Sequence, residues 1–175
     1  MYENSFPKKR FDQTIAFLLK NLPPPARILD MGTINPLSDI MREHGYEVFN
    51  TRGEDLDLDP EAIARTDVDA VTSFEILEHL VAPFNVLSHI KCDKLIASVP
   101  LSLWFAKAYR DESNPWGQHF HEFEDWQFDW LLEKAGWQIQ EREKWISPSK
   151  KLGIRPILRN FTHRYYIVSA VKREA

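Results

Sequence analysis

Cysteine is nearly absent from this chain. Cys92 is the only one among 175 residues, so no internal disulfide is available and a reducing compartment is the natural home. No apolar run approaches the roughly 20 residues that a membrane-spanning helix needs. The opening MYENSFPKKRFDQ lacks the apolar core of a secretion signal. Positive charge is not in excess either: the net charge is -4, which argues against a general nucleic-acid binder. There is no GxxxxGK phosphate cradle, no nucleophile–base–acid triad, no internal repeat and no low-complexity tract. The expectation is a cytoplasmic protein with no membrane segment. It would form one domain over residues 1–175, with an N-terminal helix and linker over 1–25.

What is present has a clear order. Phe11, Ile15, Leu18, Leu19 and Leu22 share one helical face, which predicts an amphipathic helix over about residues 10–21. Pro23, Pro24 and Pro25 end it and force an extended entry into a strand over 27–31. A helix is expected over about 36–44, with Asn35 as its cap and Pro36 at its first position. Further strands are expected over 46–51, 70–74, 94–99, 138–145 and 165–172. An acidic stretch holds Glu54, Asp55, Asp57, Asp59 and Glu61, and Pro60 opens a short helix over roughly 60–65. Another helix, with Leu80, Phe84, Val86, Leu87 and Ile90 as its apolar positions, follows the 70–74 strand. Residues 125–135 should form an amphipathic helix with Trp126, Phe128, Leu131 and Leu132 inward and Gly136 just beyond its end.

The stretch that organises the rest is RILDMGTINPLSDIMREHGY, residues 27–46. It reads as strand, tight turn and helix, the first βα unit of a nucleotide-binding α/β fold, with the ligand against the turn and the helix N-terminus. Strands alternating with helices imply a doubly wound, mostly parallel, Rossmann-like sheet. The last two strands have no helix between them, so the final strand should run antiparallel.

In this order the parts resemble a class I methyltransferase that uses S-adenosylmethionine. ILDMG at 28–32 is similar to that family's first motif. SFEILEHL at 73–80 is similar to the end of its fourth strand and the helix beyond. HEFEDWQFDWLLEKAGWQI at 121–139 is similar to its fifth helix and the entry to its sixth strand. The resemblance implies that Asp30, Gly32 and Thr33 face the methionine part of the cofactor and that Ser73, Phe74 and Glu75 line the opposite wall. Three departures stand out. The second and third glycines of the first motif fall on Ile34 and Pro36. The acidic residue that should hold the ribose falls on Arg52, leaving Glu54 or Asp55 to replace it if the turn is rearranged. The span 51–69 is too short for both the usual second helix and the third strand.

Glu75, Glu78 and His79 form an ExxEH pattern at the start of the expected helix, and His121, Glu122, Phe123 and Glu124 form HxFE. The pair resembles the metal site of small-RNA 3′-end 2′-O-methyltransferases. That implies Mg²⁺ or Mn²⁺ on Glu75, Glu78, His79 and His121, where a metal would lower the pKa of a hydroxyl acceptor. The plainer reading is an acidic helix start favoured by the helix dipole. His79 and His121 are the candidate catalytic bases, with His119 beside them. The basic segment 150–164 holds Lys150, Lys151, Arg155, Arg159 and Arg164, either to capture an anionic substrate or to balance the acidic stretch. Trp104, Phe105, Tyr109 and Trp116 fall where the family builds a substrate lid. The expected activity is methyl transfer to an O, N or C acceptor, a small molecule ahead of RNA. The alternative is a non-catalytic relative that uses the fold for binding or assembly.

Overall fold

The computed structural model describes residues 7–107, 109, 117–148 and 153–173. Trp116, Lys150 and Lys151 lie outside them. The elements are α1 (Lys8–Asn21), β1 (Arg27–Asp30), α2 (Pro36–Glu43), β2 (Glu47–Asn50), β3 (Ala70–Phe74), α3 (Pro83–His89), β4 (Lys94–Pro100), α4 (Asp125–Lys134), β5 (Trp137–Ile146), α5 (Ile154–Arg159) and β6 (His163–Lys172).

The six strands form one sheet in the order β2-β1-β3-β4-β6-β5. The pairs β1–β2, β1–β3 and β3–β4 are parallel, while β6 runs antiparallel to both β4 and β5. The parallel strands are apolar almost throughout because both sheet faces are covered. Successive residues point to opposite faces. On one face Ile28, Ile96 and Ile167 meet Phe11, Ile15 and Leu18 of α1 and Leu37 and Met41 of α2. On the other, Leu29, Val71, Leu95 and Val168 meet Val86 and Leu87 of α3 and Phe128 and Leu132 of α4. Trp137 is fully buried there, its indole N–H donating to the Leu87 carbonyl at 3.3 Å.

β1 leads to β2 on one side, and the chain then returns across β1 to β3. The strand order therefore reverses between β1 and β3, and in open α/β sheets the ligand crevice lies beyond the carboxyl ends at that point. No strand forms between residues 51 and 69. The segment makes only a 3-10 turn, Pro60–Ile63, so β2 is the edge strand and the third strand of the related fold is missing, as the short span predicted. Leu56 and Ile63 still reach the core.

Three expectations are corrected. The segment between the last two strands does hold a helix, α5 (Ile154–Arg159), yet its six residues are too few to carry the chain back across the sheet, so β6 still pairs antiparallel with β5. The helix expected from Glu75 onward does not form. Glu75 leaves β3 at φ 58, Leu77–His79 is a single 3-10 turn, and α3 begins afresh at Pro83. Pro83 imposes this break, since the residue before a proline is pushed out of helical geometry. Trp126 does not point inward. It is 44% exposed and packs edge-on against Trp130 at 4.8 Å, while Phe128 and Leu132 are buried. These pairs are each four residues apart and occupy different flanks of one helix.

Candidate functional site

The turn after β1 is built around Asp30. Its carboxylate is 2% exposed and accepts three hydrogen bonds: from Thr72 Oγ1 of β3 at 2.7 Å, from Ser38 Oγ of α2 at 2.9 Å and from Asn50 Nδ2 of β2 at 3.2 Å. One side chain thus joins three strands and a helix beneath the switch point. Burial pushes its carboxyl up to about 6, against the pull of these three donors. The family resemblance implies that Asp30 faces the cofactor. Its carboxylate instead lies inside the turn, so it shapes the crevice floor from below.

Gly32 has φ 100 and Gly53 has φ 95, a region that side-chain-bearing residues rarely adopt. A Cβ on Gly53 would lie 3.5 Å from Thr33 Cγ2, so the turns after β1 and β2 abut. They are joined where the Gly32 N–H donates to Thr51 Oγ1 at 2.8 Å. Asn35 caps α2 through Leu37 N at 2.9 Å and Ser38 N at 3.3 Å. Ile34 does not fill the turn; it is 68% exposed. Glu54 accepts from the Arg52 N–H at 2.5 Å. Backbone N–H groups, its own first, lower its pKa and the Arg52 charge adds to this, so a carboxylate stands ionised on the β2 turn.

The wall beyond β3 is tied down on both sides. Glu75 accepts from Ser98 Oγ at 2.9 Å and from Arg10 Nη1 of α1 at 3.2 Å. Asp57, from the segment that replaces the missing strand, accepts from Val81 N and Ala82 N, both at 2.8 Å. Neither clamp is legible in the sequence. Nothing in the spacing of Arg10 or Asp57 marks a partner that far along the chain.

The titratable cluster sits on the 3-10 turn. Glu78 is 1% exposed, and its Oε2 has no hydrogen-bond partner among the described residues. Burial first, then the charge of Glu75, raise its pKa well above the usual carboxyl range. His79 Nδ1 lies 2.8 Å from the Gln118 carbonyl. That contact requires a proton on Nδ1, so the neutral ring keeps a lone pair on Nε2, 3.8 Å from Glu78 Oε1. His119 packs edge-on against His79 at 4.8 Å. Burial, then His79, depress its pKa, and its Nδ1 lies 3.5 Å from Glu122 Oε1 without meeting hydrogen-bond geometry.

One ligand atom from each of Glu78, His79 and His119 can be chosen so that all three lie within 4.8 Å of one another. The structure thus brings together two of the four residues expected to bind metal and adds His119. Glu75 is turned to Arg10 and Ser98. His121 Nε2 lies 3.3 Å from the Val81 carbonyl, and its ring stacks on Phe123 at 5.4 Å. The physical reason is that Phe123 is a core residue, 6% exposed. Glu124, the last residue of HxFE, forms a capping box with Gln127 at the start of α4. Half of that pattern serves folding.

No protein-family model matches the sequence, and no curated protein matches it. Solved structures do. The fold matches 1,6-didemethyltoxoflavin-N1-methyltransferase of Burkholderia thailandensis, bound to 1,6-didemethyltoxoflavin and S-adenosylhomocysteine. That match has a TM-score of 0.65 and 18% identity, over 94% of this chain and 78% of that one. It also matches a S-adenosylmethionine-dependent methyltransferase from Archaeoglobus fulgidus, with a TM-score of 0.66 and 15% identity over 94% of each chain. The cyclase SpnF matches as well, with a TM-score of 0.59 and 14% identity over 99% of this chain and 85% of that one. The fold is that of the class I S-adenosylmethionine-dependent methyltransferases. SpnF illustrates that this fold does not by itself fix the reaction.

Proposed function

We propose that this chain is a S-adenosylmethionine-dependent methyltransferase acting on a small-molecule acceptor. The observation that carries the reading is the pair of abutting glycine turns at the switch point, floored by Asp30 and edged by the ionised Glu54. The residues suit the cofactor. Gly32 and Thr33 would border its methionine part, Glu54 would accept from the ribose hydroxyls, and Ser73, Phe74 and Glu75 would form the facing wall. Bound there, the cofactor supplies an electrophilic methyl group on a sulfonium. The chain positions the acceptor's lone pair in line with that bond and takes a proton where the acceptor must lose one. His79 Nε2, free of the Gln118 contact, is the base favoured here. His121 is set aside because its Nε2 is turned to the Val81 carbonyl.

Glu54→Gln keeps size and removes charge. It should weaken S-adenosylhomocysteine binding about tenfold, as expected for loss of a charge-assisted hydrogen bond, with the melting temperature nearly unchanged. Calorimetric titration of parent and variant measures this. Equal affinities would remove Glu54 from the site.

A second, metal-assisted reading is favoured by the unpartnered Glu78 Oε2. With His79 Nε2 and His119 it offers two imidazoles and one carboxylate, a set that suits Mn²⁺ or a similar divalent ion. The Gln118 carbonyl orients the His79 ring as outer-shell partners of metal ligands do. A bound divalent ion would acidify a hydroxyl acceptor.

A further inference from the structure

A cavity of about 90 Å³ opens beside the imidazole pair, at the carboxyl end of β4. On this measure roughly 10–15 Å³ holds one water, so the cavity takes a group of several heavy atoms. Lys107, Arg159 and Arg164 border it together with Leu103, Tyr109 and Glu122. Three cations thus converge on one small space from the β4 loop, the end of α5 and the start of β6.

Arg164 is held in place, its Nη1 donating to the Leu101 carbonyl at 2.7 Å. Among the described residues, neither Lys107 nor Arg159 has a carboxylate within ion-pair distance. Among the described residues Glu122 is the one acid on the rim, and it is already engaged. It accepts from the Tyr109 N–H at 2.8 Å and faces His119. Among the described residues the lining therefore carries an excess of positive charge, while the chain as a whole is negative at -4.

We infer that this cavity is the anion-binding subsite of the methyl acceptor, which is a small molecule bearing a carboxylate or a phosphate monoester. The inference rests on the methyltransferase reading for the word acceptor, though not for the anion. Arginine forks match both groups in bidentate geometry. Leu103 gives the adjoining body of the ligand an apolar contact. Glu122 and the Tyr109 ring border both the cavity and His119, which lies 4.7 Å from that ring. An acceptor anchored here by its anion presents its remaining atoms to His119 and His79. A single-stranded RNA would instead need a basic groove with successive stacking platforms, which one small cavity does not provide.

The test is calorimetric titration of the full chain with phenyl phosphate, benzoate, benzylamine and a ten-nucleotide RNA, at low ionic strength. S-adenosylhomocysteine is titrated in parallel. The expected result is saturable binding of phenyl phosphate or benzoate, the stronger of the two naming the group, and none of benzylamine. Lys107→Ala and Arg159→Ala should each weaken that binding about tenfold. Arg155→Ala, exposed on the same helix and away from the cavity, should leave it unchanged. Unchanged S-adenosylhomocysteine affinity and melting temperature in all three variants would show that folding is intact. Failure of both anions to bind, or binding indifferent to Lys107 and Arg159, overturns the inference. So does RNA binding that depends on Arg159 while the small anions fail. Anion binding without S-adenosylhomocysteine binding keeps the subsite and overturns the methyltransferase reading alone.

Discussion

Asp30→Ala should destabilise the fold by about 2 kcal/mol at pH 7 and by about 3 kcal/mol at pH 5. Truncation leaves the Thr72 and Ser38 hydroxyl protons without their acceptor, while Asn50 Nδ2 keeps the Gly32 carbonyl and Ser38 Oγ. Each buried, unpaired polar group costs about 1–3 kcal/mol. Relief from burying a charge offsets part of that loss. The pH dependence follows from a folded-state pKa of about 6 against an ordinary value of 3.8. Between those values the folded state holds the extra proton, so the parent gains stability from Asp30 as pH falls from 7 to 5. The variant cannot, and the gap widens by about 1 kcal/mol. A melting temperature lower by roughly 4–8 °C at pH 7 follows for a chain of this size. Urea unfolding at the two pH values checks it. A gap that narrows on acidification would mean that Asp30 stays ionised in the folded protein.

Addition of Mn²⁺ should raise the melting temperature, and the variants should identify the ligands. At a concentration of 100 times Kd, selective binding to the folded state stabilises by about 2.7 kcal/mol, or roughly 5–10 °C here. Glu78→Gln and His119→Ala should abolish the rise. Glu78→Gln is the sharper variant, because it keeps the buried shape and the neutral state favoured by burial. His121→Ala should leave the rise intact, since its imidazole faces the Val81 carbonyl. Differential scanning fluorimetry measures all four proteins. A rise lost in His121→Ala but kept in His119→Ala would restore the ligand set that the motif implied. No rise in the parent would exclude the metal-assisted reading.

The residues behind these two predictions mark where the sequence was legible. The β1 turn was, because a strand, a glycine and an Asn-Pro helix start are all local signals. The paired β3 and β4, the antiparallel β6 and the missing strand between β2 and β3 were legible too, from apolar runs and from the length of 51–69. The use of each site residue was not. Asp30 lies at the end of an apolar strand whether its carboxylate faces a ligand or Thr72. Glu75, Glu78 and His79 share a flank only if a helix runs through them, and Pro83 prevents that helix. His121 fits the spacing of a motif, yet the burial of Phe123 and the cap made by Glu124 fix the loop so that His119 points to His79. Arg10 and Asp57 act across long sequence separations, where periodicity carries no information.

The most direct test of the central claim is calorimetric titration of the unmodified chain with S-adenosylhomocysteine. The account predicts a single saturable site with a micromolar Kd, about -8 kcal/mol, formed although Ile34, Pro36 and Arg52 replace the usual residues. No detectable binding would contradict it and leave a methyltransferase fold serving a non-catalytic role.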